Sequence, residues 1–93
     1  MKFHELEKIL VDANVWPYNY AIGNLHKPLA EVAYCLIKDG QRYRFFITER
    51  DELVEEKFFN SENNACRYFL REFVKDDQNL QQYLDAKRLT AAP

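Results

Sequence analysis

An Asp39-Gly40 pair set between two alternating segments, EVAYCLIK and QRYRFFIT, constrains this chain more than any other feature. Asp-Gly between alternating runs is a strong hairpin signal, because the favoured two-residue turn needs φ > 0 at its central positions. With Asp39 and Gly40 in the turn, Lys38 would face Gln41, Leu36 would face Tyr43, Tyr34 would face Phe45 and Val32 would face Ile47. Paired residues share a face of the sheet. That register therefore collects the aliphatic and aromatic side chains on one side. Ile37, Cys35, Ala33 and Glu31 fall on the other, beside Arg42, Arg44, Phe46 and Thr48. A slip of one residue would undo the sorting, so the parity of the pairing is well specified.

The hairpin sets the reading of its neighbours. A charged turn, ERDE, leads into a third extended run, LVEEKFF. An even loop around Arg50-Asp51 predicts Val54 and Phe58 on the core side with Ile47 and Tyr43, and brings Glu56 to the margin of that side. An odd loop would send Glu55 and Lys57 inward, at the cost of burying charge. Upstream, Phe3, Leu6, Leu10 and Ala13 recur at helical spacing, predicting a helix over 3–14 that Trp16-Pro17 terminates. Tyr18, Tyr20 and Ile22 alternate with small or polar residues, predicting a strand over 18–23 and then a loop to Pro28.

Further strands are predicted over 31–38, 41–49 and 53–58. Asn60 or Ser61 caps a helix over 61–75 whose stripe is Ala65, Cys66, Phe69, Leu70 and Phe73. A short helix over 79–88 carries Leu80, Tyr83 and Leu84, and a tail over 89–93 frays. With 93 residues there is chain for one domain, 1–93. The expected fold is α+β in two layers, a small antiparallel β-meander of three or four strands packed against N-terminal and C-terminal helices.

The chemistry on this scaffold is sparse. No nucleophile elbow, zinc-binding His-Glu-x-x-His, phosphate loop or dinucleotide fingerprint occurs. His4 and His26 read as surface residues. Cys35 and Cys66 lie far apart in sequence without Cys-x-x-Cys spacing and read as buried thiols. No catalytic residue, cofactor or metal is expected. The start, MKFHELEKIL, has no basic segment followed by an apolar one, so neither a signal peptide nor a membrane span is expected.

Thirteen Lys and Arg against fifteen Asp and Glu give a formal charge of −2, which argues against a general nucleic-acid binder. Arg42, Arg44 and Arg50 beside Phe46 would otherwise suggest a base-stacking platform. The acids Glu49, Asp51, Glu52, Glu55 and Glu56 around an exposed edge either protect that edge or steer a basic partner toward it.

Taken in order, YAIG, AYCLIKDGQRYRFFITER and FFNSENNACRYFL resemble the small immunity proteins of bacterial polymorphic-toxin and contact-dependent inhibition systems. Those families similarly join a short Tyr-x-Ile strand to a Cys-Leu-x-Lys-x-Gly hairpin. A strand ending in Glu-Arg follows, and then a Phe-Asn-Ser helix start. The likeness spans residues 18–71. It departs at Asp51, where a glycine is expected, and at Tyr43 and Phe45, in a strand often marked by tryptophan.

The resemblance implies a cytoplasmic, non-catalytic inhibitor that binds one cognate toxin domain, often a nuclease, as a monomer or weak homodimer. Its implied contacts are Glu49, Arg50, Asp51, Glu52, Glu55 and Glu56, with Phe46 as an aromatic anchor. The competing reading is an adaptor, chaperone or regulatory module, and after it a nucleic-acid binder.

Overall fold

The computed structural model describes residues 1–24 and 29–87. His26, most of the expected loop to Pro28 and the tail over 89–93 lie outside them. The elements are α1 (Phe3–Asp12), a 3₁₀ turn (Pro17–Asn19), β1 (Tyr20–Ile22), β2 (Val32–Asp39), β3 (Arg42–Glu49), β4 (Glu52–Phe59), α2 (Glu62–Val74) and α3 (Gln78–Ala86). The strands form one sheet in the order β1-β2-β3-β4, with helices on one side. The α+β two-layer architecture is thus the one the sequence calls for. Among the described residues, no helix is long and apolar enough to cross a membrane.

The central hairpin keeps the expected faces but moves its turn. Asp39 pairs with Arg42, Leu36 with Phe45 and Tyr34 with Ile47, so the two-residue loop is Gly40-Gln41. Only Gly40, at φ 64°, takes a positive φ there, the pattern of a turn with glycine at its first central position. β2 ends, and β3 begins, one residue later than expected. The pairing therefore shifts by two, and a shift of two preserves which side chains share a face.

β1 corrects the expected meander. It runs parallel to β2, with Tyr20, Ala21 and Ile22 beside Tyr34, Cys35 and Leu36. Parallel neighbours require the chain to return before pairing again. Of the described residues in that return, Leu29 packs on Ala21, Ala33, Cys35 and Phe46, on the sheet face remote from α2. Three small side chains at that spot permit the close approach. The Ala30 N–H donates to the Tyr18 carbonyl at 2.6 Å and that of Gly23 to Leu36 at 2.8 Å, tying both ends of the return. Tyr18 and Asn19 belong to the 3₁₀ turn, which Pro17 opens with its fixed φ. α1 ends before Trp16-Pro17 because Asn14, at φ 60°, supplies a left-handed stop.

α2 is the central helix of the second layer. The Ser61 hydroxyl accepts the Asn64 N–H at 3.2 Å as its cap, and Ala65, Cys66, Phe69, Leu70 and Phe73 are all buried against the sheet and flanking helices. α1 contributes Leu6 and Leu10 to this core, and α3 contributes Leu80 and Leu84. Asp77 caps α3 by accepting the Leu80 N–H at 2.9 Å. Rings dominate the centre: Tyr34 lies 4.7 Å from Phe73, Phe45 5.9 Å from Phe69, and Phe69 stacks on Phe73 at 5.5 Å.

β4, at the edge opposite β1, contradicts the expected facing of Val54 and Phe58. The loop is the even one, Arg50-Asp51, and both residues have positive φ (53° and 67°), as a type I′ turn demands. Beyond it Thr48 pairs with Leu53 but Ile47 pairs with Glu55, leaving Val54 as a bulge. The extra residue reverses the alternation. Glu55, Lys57 and Phe59 come to the helix side, while Phe58 turns away from it and Val54 stands exposed at the bulge. The charges tolerate this because β4 is at the margin: the Tyr68 hydroxyl donates to Glu55 at 3.1 Å, and the Lys57 ammonium lies 4.6 Å from the Tyr68 ring centre.

Candidate protein-binding surface on the outer β3–β4 hairpin

β4 carries three exposed apolar side chains, Leu53 and Phe58 on the helix-free face and Val54 at the bulge. Leu53 is 52%, Val54 55% and Phe58 37% exposed. They lie along the edge strand, with Glu56 between Leu53 and Phe58 on the helix-free face. The Arg42 guanidinium lies 4.1 Å from the Phe58 ring centre and that of Arg44 4.2 Å from Phe46. Arg44 Nε also donates to Glu56 Oε2 at 2.5 Å. The cations on this face are thus partly spoken for, Arg44 by a carboxylate and Arg42 by a ring. A base-stacking platform would need those planes open.

The expected contact residues do not form a single patch. Glu49, Arg50, Asp51 and Glu52 gather at the exposed tip of the hairpin, where Glu49 and Glu52 are direct cross-strand partners. Like charges placed opposite one another are unfavourable. Arg50 relieves this end by pairing with Glu31 through Nε, and its N–H donates to the Glu31 carbonyl at 2.7 Å. Glu55 and Glu56 separate to opposite faces, Glu55 under Tyr68 and Glu56 beside Arg44. Phe46 is not an open anchor. It is 6% exposed, packed among Ala21, Ala33 and Cys35 beneath the Arg44 plane.

The strip of Leu53, Val54 and Phe58 escaped sequence reasoning because regular alternation places Val54 and Phe58 inside. A signal was present. The register that buries those two carries Glu56 in with them, a conflict that marks the plain alternation as doubtful, and the bulge exchanges Glu56 for Glu55 and Lys57 at the margin.

The thiols lie on opposite sides of the sheet, Cys35 in the small outer cluster and Cys66 in the main core, and both are buried. Burial, with Glu62 adding negative charge nearby, pushes the Cys66 thiol up to about 12, a poor nucleophile at neutral pH. His4 is exposed on α1. Among the described residues no group of three or more His, Cys, Asp and Glu side chains is placed to hold a metal ion.

A cleft of about 350 Å³ is lined by Asn19, Val32, Tyr34, Phe73, Asp76 and Asp77, and there the Tyr34 hydroxyl donates to Asp76 Oδ2 at 2.5 Å. Burial first, and then that hydrogen bond, raise the Tyr34 pKa well above the usual phenol value. Both of its carboxylates have structural work, Asp76 holding Tyr34 and Asp77 capping α3. No protein-family model, curated protein or solved structure matches this chain.

Proposed function

We propose that this chain is an immunity-type inhibitor that neutralises a cognate bacterial toxin domain in the cytoplasm by occupying it with the outer face and tip of the β3–β4 hairpin. The observation that carries the reading is the exposed strip of Leu53, Val54 and Phe58 on an edge strand. An apolar centre inside a charged rim is the anatomy of protein interfaces, and a few ring or aliphatic anchors supply most of the affinity. Arg42, Arg44 and Glu56 supply that rim along the strand, and Glu49, Asp51 and Glu52 supply an acidic end. Acids there suit a toxin surface adapted to nucleic acid, steering encounter more than tightening the complex. The resemblance to immunity proteins names the partner, and the hairpin supports only the mode of contact.

The test is co-expression with the C-terminal domain of a secreted protein encoded beside this chain, scored by growth and by co-purification. Wild type rescues growth and forms a complex. Leu53→Asp and Phe58→Asp each weaken binding by about 30-fold or more, as loss of a central anchor does, with unchanged circular dichroism. Glu49→Lys with Glu52→Lys slows association while leaving dissociation nearly unchanged. No rescue and no complex overturns the toxin partner. A complex that ignores both Asp variants moves the interface elsewhere.

A further inference from the structure

A second cleft, of about 330 Å³, opens between β4 and α2 and is lined by Lys57, Phe59, Asn64, Arg67, Tyr68 and Arg71. It lies on the helix side of β4, away from the strip of Leu53, Val54 and Phe58. The Val54 bulge creates it by turning Lys57 and Phe59 toward the helix. Residues 64, 67, 68 and 71 follow helical spacing and so share one face of α2 beside its buried stripe.

Three of the six lining side chains are cations, in a chain whose formal charge is −2. The rings help position them. The Tyr68 ring centre is 4.6 Å from the Lys57 ammonium and 5.1 Å from the Arg71 guanidinium, and Lys57 is 5.8 Å from Phe59. Neutralisation is thin. Arg71 has Glu72 at 3.8 Å, and the same carboxylate takes Lys75 at 3.0 Å. Arg67 Nε donates to the uncharged Asn63 Oδ1 at 3.3 Å. Among the described residues Lys57 and Arg67 have no carboxylate partner.

Like charges around one opening repel, and an anion placed between them reverses the sign of that energy. We propose that this cleft binds a phosphoryl group, free or carried on a small organic molecule. A single carboxylate would leave positive charge over. A phosphoryl group bears about −1.5 to −2 at pH 7 and three acceptor oxygens, which matches the cations present. Guanidinium forks suit its oxygens, the lysine adds a point charge, and the Asn64 amide adds a neutral donor. The volume lies near the lower end of small-molecule sites, about 300–1,000 Å³. Glu55 on the Tyr68 hydroxyl and Glu72 on Arg71 bound the cleft with negative charge. Those carboxylates make it a point site and oppose a polynucleotide track.

Titration of the full chain, labelled with ¹⁵N, with inorganic phosphate and separately with adenosine monophosphate tests this, at fixed ionic strength with chloride as the reference. Saturable shifts confined to residues 57–59 and 64–71 are expected. Lys57→Gln and Arg67→Gln each weaken binding by about tenfold or more, while Arg67→Lys keeps part of it because charge survives without the fork. Saturation with phosphate alone identifies the free ion as sufficient, and saturation with the monophosphate only identifies an ester; both support the site. Shifts that rise linearly and match chloride overturn it. So does affinity unchanged in both folded Gln variants, or a short RNA that binds with a footprint running beyond the cleft.

Discussion

Asp51 holds a backbone conformation that suits glycine better. It is the second of two consecutive left-handed residues, at φ 67° after Arg50 at φ 53°. The left-handed region costs an L-residue roughly 1–2 kcal/mol, less for aspartate because its short side chain bonds locally. The hairpin tolerates the cost because strand pairing continues on both sides of the turn. Asp51→Gly should therefore stabilise the fold by about 0.5–1 kcal/mol, seen as a higher urea midpoint at unchanged slope. A lower midpoint would show that the aspartate carboxylate supports the turn more than its backbone strains it. The departure of Asp51 from the glycine expected after Glu-Arg is thus a sequence feature with a physical correlate. The left-handed character of Arg50 left no such mark, because arginine is not a turn residue by habit.

At the scale of elements, the Val54 bulge decides the most. It decides which of Glu55 and Glu56 faces the helices, opens the basic cleft on one side and turns Phe58 out on the other. Removing Val54 would let Leu53 and Glu55 pair in ordinary alternation, with every later β4 side chain keeping its present face. A chain lacking Val54 should fold with stability within about 1 kcal/mol of wild type, yet self-associate more, because bulges deter edge-to-edge pairing. Unfolding midpoints and sedimentation would read the two effects, and a collapse in stability would refute the register.

The elements differ in how plainly the chain announces them. The central hairpin was legible because sorting of Tyr34, Leu36, Phe45 and Ile47 depends only on parity, which the two-residue shift preserves. α2 was legible because Ala65, Cys66, Phe69, Leu70 and Phe73 follow the helical period. β1 was not legible in direction: the alternation of Tyr18, Tyr20 and Ile22 marks a strand but does not say which way its neighbour runs, and the strand itself is three residues long and wholly buried. The bulge was not legible either, since one extra residue in LVEEKFF changes no composition. The candidate surface inherited that error, and its exposed anchors came to light only with the fold.

Over the whole molecule, burial acts on its acidic protons. Tyr34, Tyr20 and Tyr68 all lie above the ordinary phenol value, chiefly because burial disfavours the anion, and the Cys66 thiol is raised to about 12. A raised value in the folded state means that folding holds the proton more tightly. That stabilisation is complete below the unfolded values, 9.0 for the thiol and 10.0 for the phenols, and is lost as pH climbs toward the folded ones. Stability should stay level in this respect up to about pH 9 and then fall as pH climbs further. Urea midpoints measured across that range check the sign, and Tyr34→Phe should flatten the descent. A midpoint that rises instead would contradict the burial of these groups.

The two rims of the sheet are unequal, three residues long on the β1 side and eight on the β4 side. Lengthening by one more strand thus has a single direction open to it. Whatever first takes that row of amides, sister molecule or stranger, shuts out the next comer. A concentrated solution in which sisters pair would titrate as though part of the protein were missing, and dilution would bring it back.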